Sequence, residues 1–489
     1  MCDYKLSVTL RFDRINNNEV TPMTQTPTRP AGSAAEPLDR AARTVIVVVV
    51  LGMITTVLDA TIVSVALDRL ADGFGVGLTT VQWVMTGFLL AFTAAIPVTG
   101  WAVDRFGSRP VWLAAVGLFT AGSLLCGLAW SAESLIAFRV LQGIGAGMVS
   151  PVGVTIVAQA VGQHRMGRAM AVVGIPMMLG PILGPVVGGV LVDTVDWRWI
   201  FFLNLPIGAA CLVLSRRVLV REPGRGRARL DLLGLSLLSP GLAALVYGVT
   251  SLAGDGELGT DVLLWCGTGL TLLGAFVAHA LRAQEPLVDL RLLKQRGFAT
   301  AASVQLLAVG VLTGAMFLLP LYLLARGESE LATGLLLVPQ GVGAAAAMAA
   351  TGRLVDRGRG RAVVIGGIVA MVTGFLGYTR VADVSSPAVL VPALFLIGVG
   401  AGCIFAPTSA AAYAALERSA IPRATTTLSI AQRTGGAVAT AVFAVVLQNR
   451  LTSAPDPASA FGGSFWWPLA LAALAVVPAL LLPAKETHR

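Results

Sequence analysis

From residue 44 to the end, the chain alternates between apolar runs and short polar breaks. Fourteen runs can be marked, at 44–67, 80–103, 110–130, 135–159, 169–192, 199–215, 232–253, 262–281, 298–325, 331–351, 362–379, 387–412, 424–447 and 464–483. Most of them reach the roughly 20 residues that a helix needs to cross a bilayer. Inside lipid a backbone must satisfy its own hydrogen bonds, and for runs of this length that means helix. The pattern therefore predicts an all-α integral membrane protein with 14 transmembrane helices.

Composition and charge agree. Of 489 residues, 56% are hydrophobic and only 12% charged, with mean hydropathy +0.80. Soluble domains carry about 25% charged residues. These figures exclude a soluble enzyme, a disordered scaffold and a nucleic-acid-binding domain. The net charge of +9 sits in short loops rather than on one soluble face. Of 35 Lys and Arg, one set of alternate connections holds only Arg69, Arg198, Arg326, Arg380 and Arg450. Most of the others lie in the opposite set and near the chain ends. Positive loops face the cytoplasm, so both termini are expected there, with the protein multi-pass in a bacterial cytoplasmic membrane. Residues 1–43 are polar and lack the apolar core of a signal peptide. They read as a disordered cytoplasmic tail, within which Met23 is a second possible start. No two of the five cysteines form a CxxC pair, and the three histidines are scattered, so no metal site is expected. There is no GxxxxGK[ST] loop and hence no ATP site. No cofactor is expected beyond a coupling ion.

The chain also repeats itself. GWAVDRFGSR at 100–109 matches GRLVDRGRGR at 352–361, and GIGAGMVSP at 143–151 resembles GVGAGCIFAP at 398–407. Eight runs separate the copies, and an even number preserves orientation, so these are parallel repeats. The arithmetic gives a six-helix bundle at 44–215, a linker at 216–231, two extra helices at 232–281, a linker at 282–297, a second bundle at 298–483 and a tail at 484–489. Transporters built from repeats hold their substrate between the halves, near mid-membrane.

Few residues in the spans carry chemistry. Asp59 is the only carboxylate in the interior of a run. A charge there costs about 2.5–3.5 kcal/mol on insertion scales, so it needs a function or a partner. Arg139 lies at a similar expected depth in the fourth run, and Gln142 is one turn away. The three can form a proton-loading site or a structural ion pair. Their repeat counterparts are Val311, Leu394 and Ile397, all apolar, so the scaffold itself does not require polar groups there. Gly100, Asp104, Arg105 and Arg109 in the first loop motif, with Asp356, Arg357 and Arg361 in the second, can form an ion-pair latch or merely a charged turn. Gly180, Gly184 and Gly188 recur every fourth residue among Pro181 and Pro185. This predicts a kinked helix with a flat face for close packing. Phe88, Phe92, Gln305, Tyr322, Gln340 and Arg433 are candidates to line a substrate cavity, or else simply to pack. Trp197, Trp199, Trp466 and Trp467 look like interface anchors.

Together these motifs resemble the major facilitator superfamily, and most closely its fourteen-span drug:proton antiporter branch. LDATIVSVAL (58–67) is similar to that branch's first-helix motif, and GWAVDRFGSR to the superfamily's loop motif. RVLQGIGAG (139–147) is similar to the fourth-helix motif, GPILGPVVGG (180–189) to the fifth-helix antiporter motif, and DWRWIFFLNLPIG (196–208) to the start of helix six. The branch usually has Asn, Pro and Tyr where this chain has Ser64, Asp68 and Phe88. The resemblance implies a monomeric proton-driven exporter of small lipophilic compounds such as antibiotics or dyes, with Asp59 as the proton carrier. With no further acidic residues in later helices, it implies a neutral or monocationic substrate. The alternatives are a dedicated exporter of an endogenous antibiotic or metabolite, and a proton-coupled importer.

Overall fold

A computed structural model describes residues 39–161, 165–221, 224, 226, 230–255, 259–284, 286–328, 330–380, 387–414, 416–417, 420–453 and 456–482. The described residues are helical or lie in short turns. The first half comprises α1 (Arg40–Ile62), α2 (Leu67–Phe74), α3 (Leu78–Phe106), α4 (Ser108–Gly127), α5 (Ala132–Val161), α6 (Met166–Thr194), α7 (Trp199–Phe202) and α8 (Asn204–Val218). Two further helices follow, α9 (Leu232–Asp255) and α10 (Thr260–Arg282). The second half comprises α11 (Arg296–Ala325), α12 (Glu330–Leu354), α13 (Gly360–Thr379), α14 (Pro387–Ala414), α15 (Ile421–Ser453), α16 (Pro457–Ser464), α17 (Trp466–Leu474) and α18 (Val476–Leu480).

Among the described residues, thirteen helical segments are long and apolar enough to cross a membrane. The 29-residue α6 supplies a further long helix over the fifth run. Helix ends follow local chemistry. The Asp39 carboxylate accepts from the Ala41 N–H at 2.6 Å, capping α1. Gly107, at φ 90°, makes the single-residue turn between α3 and α4, a conformation that favours glycine. α1 reaches α2 through a 3-10 turn at Val63–Ala66, four residues beyond Asp59.

Packing repeats with the sequence. α3 and α4 both pack on α5, as α12 and α13 pack on α14. α1 packs on α5, α6 and α8, as α11 packs on α14, α15 and α17. Between the halves, α6 meets α12 and α14 while α15 meets α3 and α5. This reciprocal pattern is that of two bundles related by a pseudo-twofold axis along their common direction. α9 breaks the symmetry. It pairs with α10 and lies against α3 and α15, covering one seam between the halves from outside, with the Ser239 hydroxyl donating to the Ala94 carbonyl at 2.9 Å.

Candidate functional site

Asp59 stands on the inner face of α1, where α4, α5 and α8 converge, and is fully buried. Arg139, from α5, donates through Nη1 to Asp59 Oδ2 at 2.5 Å and to Gln142 Oε1 at 2.8 Å. Its Nε donates to the Val84 carbonyl at 3.2 Å. Gln142 Nε2 donates to Asp59 Oδ1 at 2.9 Å and to Ser123 Oγ at 3.1 Å. Asn204 Nδ2 donates to the same two atoms at 2.8 and 3.0 Å. Ser123 in turn donates to the Phe201 carbonyl at 3.0 Å. The Arg139 guanidinium lies 3.9 Å above the Phe88 ring. Every polar neighbour of Asp59 is a donor, an arrangement that suits an ionised carboxylate. Small residues let the helices approach closely enough to seal it. A Cβ on Gly122 would stand 2.7 Å from that of Gln142, and one on Gly143 would stand 2.5 Å from the Phe88 carbonyl.

Sequence reading missed Asn204 and Ser123. Asn204 was visible as a lone amide in WIFFLNLPIG, but nothing in the sequence aims it at Asp59. The counterparts Val311, Leu394 and Ile397 are all buried in the apolar core of the second half, so the network belongs to the first half.

The loop motif forms part of a contact between the halves. Asp104 accepts from Arg423 Nε of α15 at 2.7 Å. A Cβ on Gly100 would meet Thr426 Oγ1 at 3.0 Å, and Thr155 bonds Thr425 at 2.9 Å. Arg423 was not foreseen. It follows Arg168 by 255 residues, the offset of the helix-four repeat, and Gly352 packs against the Arg168 backbone as Gly100 packs against Thr426. Arg105 and Arg109 reach the following linker instead. Arg105 donates to the Gly226 carbonyl and Arg109 to the Arg216 carbonyl, the latter at 2.6 Å. Arg357 is exposed in a π-turn at Val355–Arg359, with Gly358 at φ 76°. All these contacts lie at the Arg-rich end of the bundle.

The glycine stripe of α6 faces α1, within its own half. Cβ atoms on Gly180 and Gly184 would collide with Val57 and Thr61, and one on Gly188 would stand 2.8 Å from Ile62. The stripe thus locks α6 to the helix carrying Asp59, and the contact with the other half falls to residues such as Gly174, against Met348. The side chains of Pro181, Pro185 and Asp356 lie outside the described residues.

The six cavity candidates separate. Phe88 is buried under Arg139 and therefore belongs to the Asp59 network. Phe92 lies beneath the exposed Arg433, whose guanidinium is 4.4 Å from the ring centre. Tyr322 is a correction: it is 1% exposed and packed by Phe461 and Phe465, so it lines no open space. Gln305 and Gln340 are also buried. Gln305 Nε2 donates to Ser409 Oγ at 2.7 Å, and the Oε1 of both residues has no protein partner.

Two pseudo-symmetric helical bundles, meeting at one end and holding a buried ionisable network in one half, define a membrane transporter. The chain belongs to the Major Facilitator Superfamily, which it matches over residues 49–444 and 302–488. It is 42% identical over 408 residues to the multidrug resistance protein B homolog of Mycobacterium tuberculosis H37Rv, covering 82% of this chain and 75% of that protein. It is 26% identical over 388 residues to the lincomycin resistance protein LmrB of Listeria monocytogenes, covering 79% and 82%. Among solved structures, the proton:xylose symporter XylE has TM-score 0.63 at 14% identity over 90% of this chain and 95% of XylE. The human organic anion transporter MFSD10 has TM-score 0.63 at 20% identity, over 88% and 99%. These structural likenesses concern the fold alone.

Proposed function

We propose that this transporter is a proton-driven exporter of small lipophilic compounds in a bacterial cytoplasmic membrane. One observation carries the reading: Asp59 is a fully buried carboxylate whose neighbours all donate to it. A proton arriving on Oδ2 removes the charge that holds Arg139 and sets an O–H donor against its guanidinium, while Oδ1 can still accept from Gln142 and Asn204. Proton occupancy is thereby converted into a change of helix packing in the first half. The glycine lock passes that change from α1 to α6, and α6 meets α12 and α14 of the other half.

With the Arg-rich end placed in the cytoplasm by the distribution of positive loops, the Asp104–Arg423 and Thr155–Thr425 contacts close the cytoplasmic side. The conformation is then outward-facing. Asp59 takes its proton from outside, through movement near the 3-10 turn at Val63–Ala66, where the helix is already irregular. The carrier turns inward, releases the proton, binds substrate and returns. One proton crossing 100 mV supplies about 2.3 kcal/mol. The names of the relatives, multidrug resistance and lincomycin resistance, support export of drug-like compounds.

The test is drug susceptibility in a pump-deficient bacterium expressing wild type or Asp59→Asn at matched membrane levels. Resistance with wild type that disappears with Asp59→Asn is expected. Resistance that survives the substitution refutes proton coupling through Asp59. If no compound is resisted, the weight moves to a dedicated exporter or an importer.

A further inference from the structure

Arg433 is the second arginine inside a span, and its surroundings are the opposite of those of Arg139. Arg139 is buried and bonded on several sides. Arg433 is exposed, and neither a carboxylate nor a hydrogen bond meets it among the described residues; what it touches is the face of Phe92. Asp59 is already engaged by three donors, and Asp104 by Arg423. Among the described residues, no carboxylate inside the spans is left to neutralise it.

Its position shows which space it faces. Asp104–Arg423, Gly100–Thr426 and Phe92–Arg433 are successive contacts along the antiparallel pair α3 and α15. The halves touch at the first two levels. At the third, the guanidinium still lies on the Phe92 ring, but the Arg433 side chain is exposed. The other side of α15, with Thr427, Ala431, Thr434 and Val438, lines an apolar lateral groove of about 850 Å³ shared with α10 and α11. At about 100° per residue, Arg433 points roughly 130° away from the middle of that strip. It faces the seam between the halves, and not the lateral groove.

We infer that Arg433, seated on Phe92, is the recognition point for an acidic group on the transported compound, so that the substrate is a lipophilic organic anion. A guanidinium with one face on an aromatic ring keeps its N–H edge free for a carboxylate, sulfonate or phosphate. The ring beside it favours an aromatic or otherwise apolar body. This rests on the export reading above and replaces the neutral or monocationic substrate expected from the sequence. Phe92 is also 6.1 Å from Phe88, the ring under Arg139. The anion site and the proton site are therefore joined across α3 by a tilted pair of rings, each with one arginine on its face. The inference has an electrical consequence. An anion moving out and a proton moving in carry charge in the same sense, so the exchange is driven by membrane potential. Exchange of a monocation for one proton is electroneutral.

The test uses full-length protein in proteoliposomes and matched acid, amide and amine forms of naphthyl, biphenyl and anthracenyl compounds, typified by 1-naphthylacetate, 1-naphthylacetamide and 2-(1-naphthyl)ethylamine. Movement is driven by an imposed pH gradient, with and without a potassium–valinomycin potential, and binding is read in parallel as thermal stabilisation. The acid form is expected to be preferred over the amide about 10-fold or more in at least one series, and to respond to potential. Arg433→Gln should lower that acid-to-amide ratio about 10-fold, with Arg433→Lys between, because an ammonium keeps the charge without the planar fork. A merely structural role would depress both forms together. Preference for amides or amines in every series, an acid-to-amide ratio unmoved by Arg433→Gln, or no acid bound or moved overturns the inference. Amides or amines driven by the proton gradient while acids are not would sink the anion site alone. Acids bound through Arg433 but moved equally by wild type and Asp59→Asn would sink the proton-coupling reading alone.

Discussion

Replacing Arg139 with Met tests whether the Asp59 network is one energetic unit. Met fills much of the same volume but donates nothing. It leaves Asp59 at 0% exposure with only the Gln142 and Asn204 amides as donors. Breaking a buried ion pair from one side costs about 3–5 kcal/mol, because the remaining charge stays desolvated. Asp59→Asn alone should cost a similar amount, since it strands the Arg139 cation at 1% exposure. The double variant Asp59→Asn/Arg139→Met removes both charges, and the amide introduced in place of the carboxylate can still accept from Gln142 and Asn204. Replacing a buried pair by neutral groups is often close to neutral, so the double variant should lie within about 1–2 kcal/mol of wild type. The two substitutions should therefore interact by at least about 3 kcal/mol. The assay is reversible unfolding of the purified protein in mixed micelles, followed by circular dichroism, with proton-coupled efflux measured on the same preparations. The double variant should fold well and move no substrate against a gradient. Additive single effects, with an interaction below about 1 kcal/mol, would show that the pair does not hold this state together. A double variant that still couples would show that it does not carry the proton.

Two further perturbations probe the seam and the glycine lock. Arg423→Asp should weaken closure at the Arg-rich end and increase labelling of a cysteine placed at Thr155, while the swap Asp104→Arg/Arg423→Asp restores protection. The pair is partly exposed, so its own contribution is about 1 kcal/mol or less, and unchanged labelling would remove it from the gate. Gly184→Val forces a side chain onto Thr61 and should cost about 1–3 kcal/mol by overpacking, with reduced yield of folded protein. Gly189→Ala, whose Cβ would stand 3.9 Å from Val65, is the tolerated control. Equal yields from the two variants would show that the stripe is not a tight contact.

The helices were legible because their signal is local. A span needs about 20 apolar residues whatever lies beside it, so each of the fourteen runs coincides with a helix or a short series of helices. Boundaries moved where the cause was not hydropathy: α16 begins at Pro457 because Asp456 caps it, accepting from the Ser459 N–H at 2.8 Å. Asp59 and Arg139 were legible for a similar reason, since a charge inside an apolar run announces itself. Asn204, Ser123 and Arg423 were not. Ser and Asn are ordinary residues in a membrane helix, and an arginine beside a loop looks like an orientation signal. The glycine stripe announced a close contact without naming the partner. Tyr322 misled because an aromatic ring that packs and one that lines a cavity look the same in a sequence.

By itself, then, the sequence determined a multi-helix membrane protein, its internal repeat and the rarity of charge in its spans. These depend on composition, period and offset, which are properties along the chain. Only the tertiary structure decided that Asp59 of α1 is bonded from α5 and α8, with α4 completing the network through Ser123, that Asp104 pairs with Arg423 and that α6 is locked to α1. Only the tertiary structure, too, separated two arginines that read alike, burying Arg139 within a network and leaving Arg433 open on Phe92. Partner choice and solvent access depend on which helix faces meet across hundreds of residues, and no local pattern encodes that meeting.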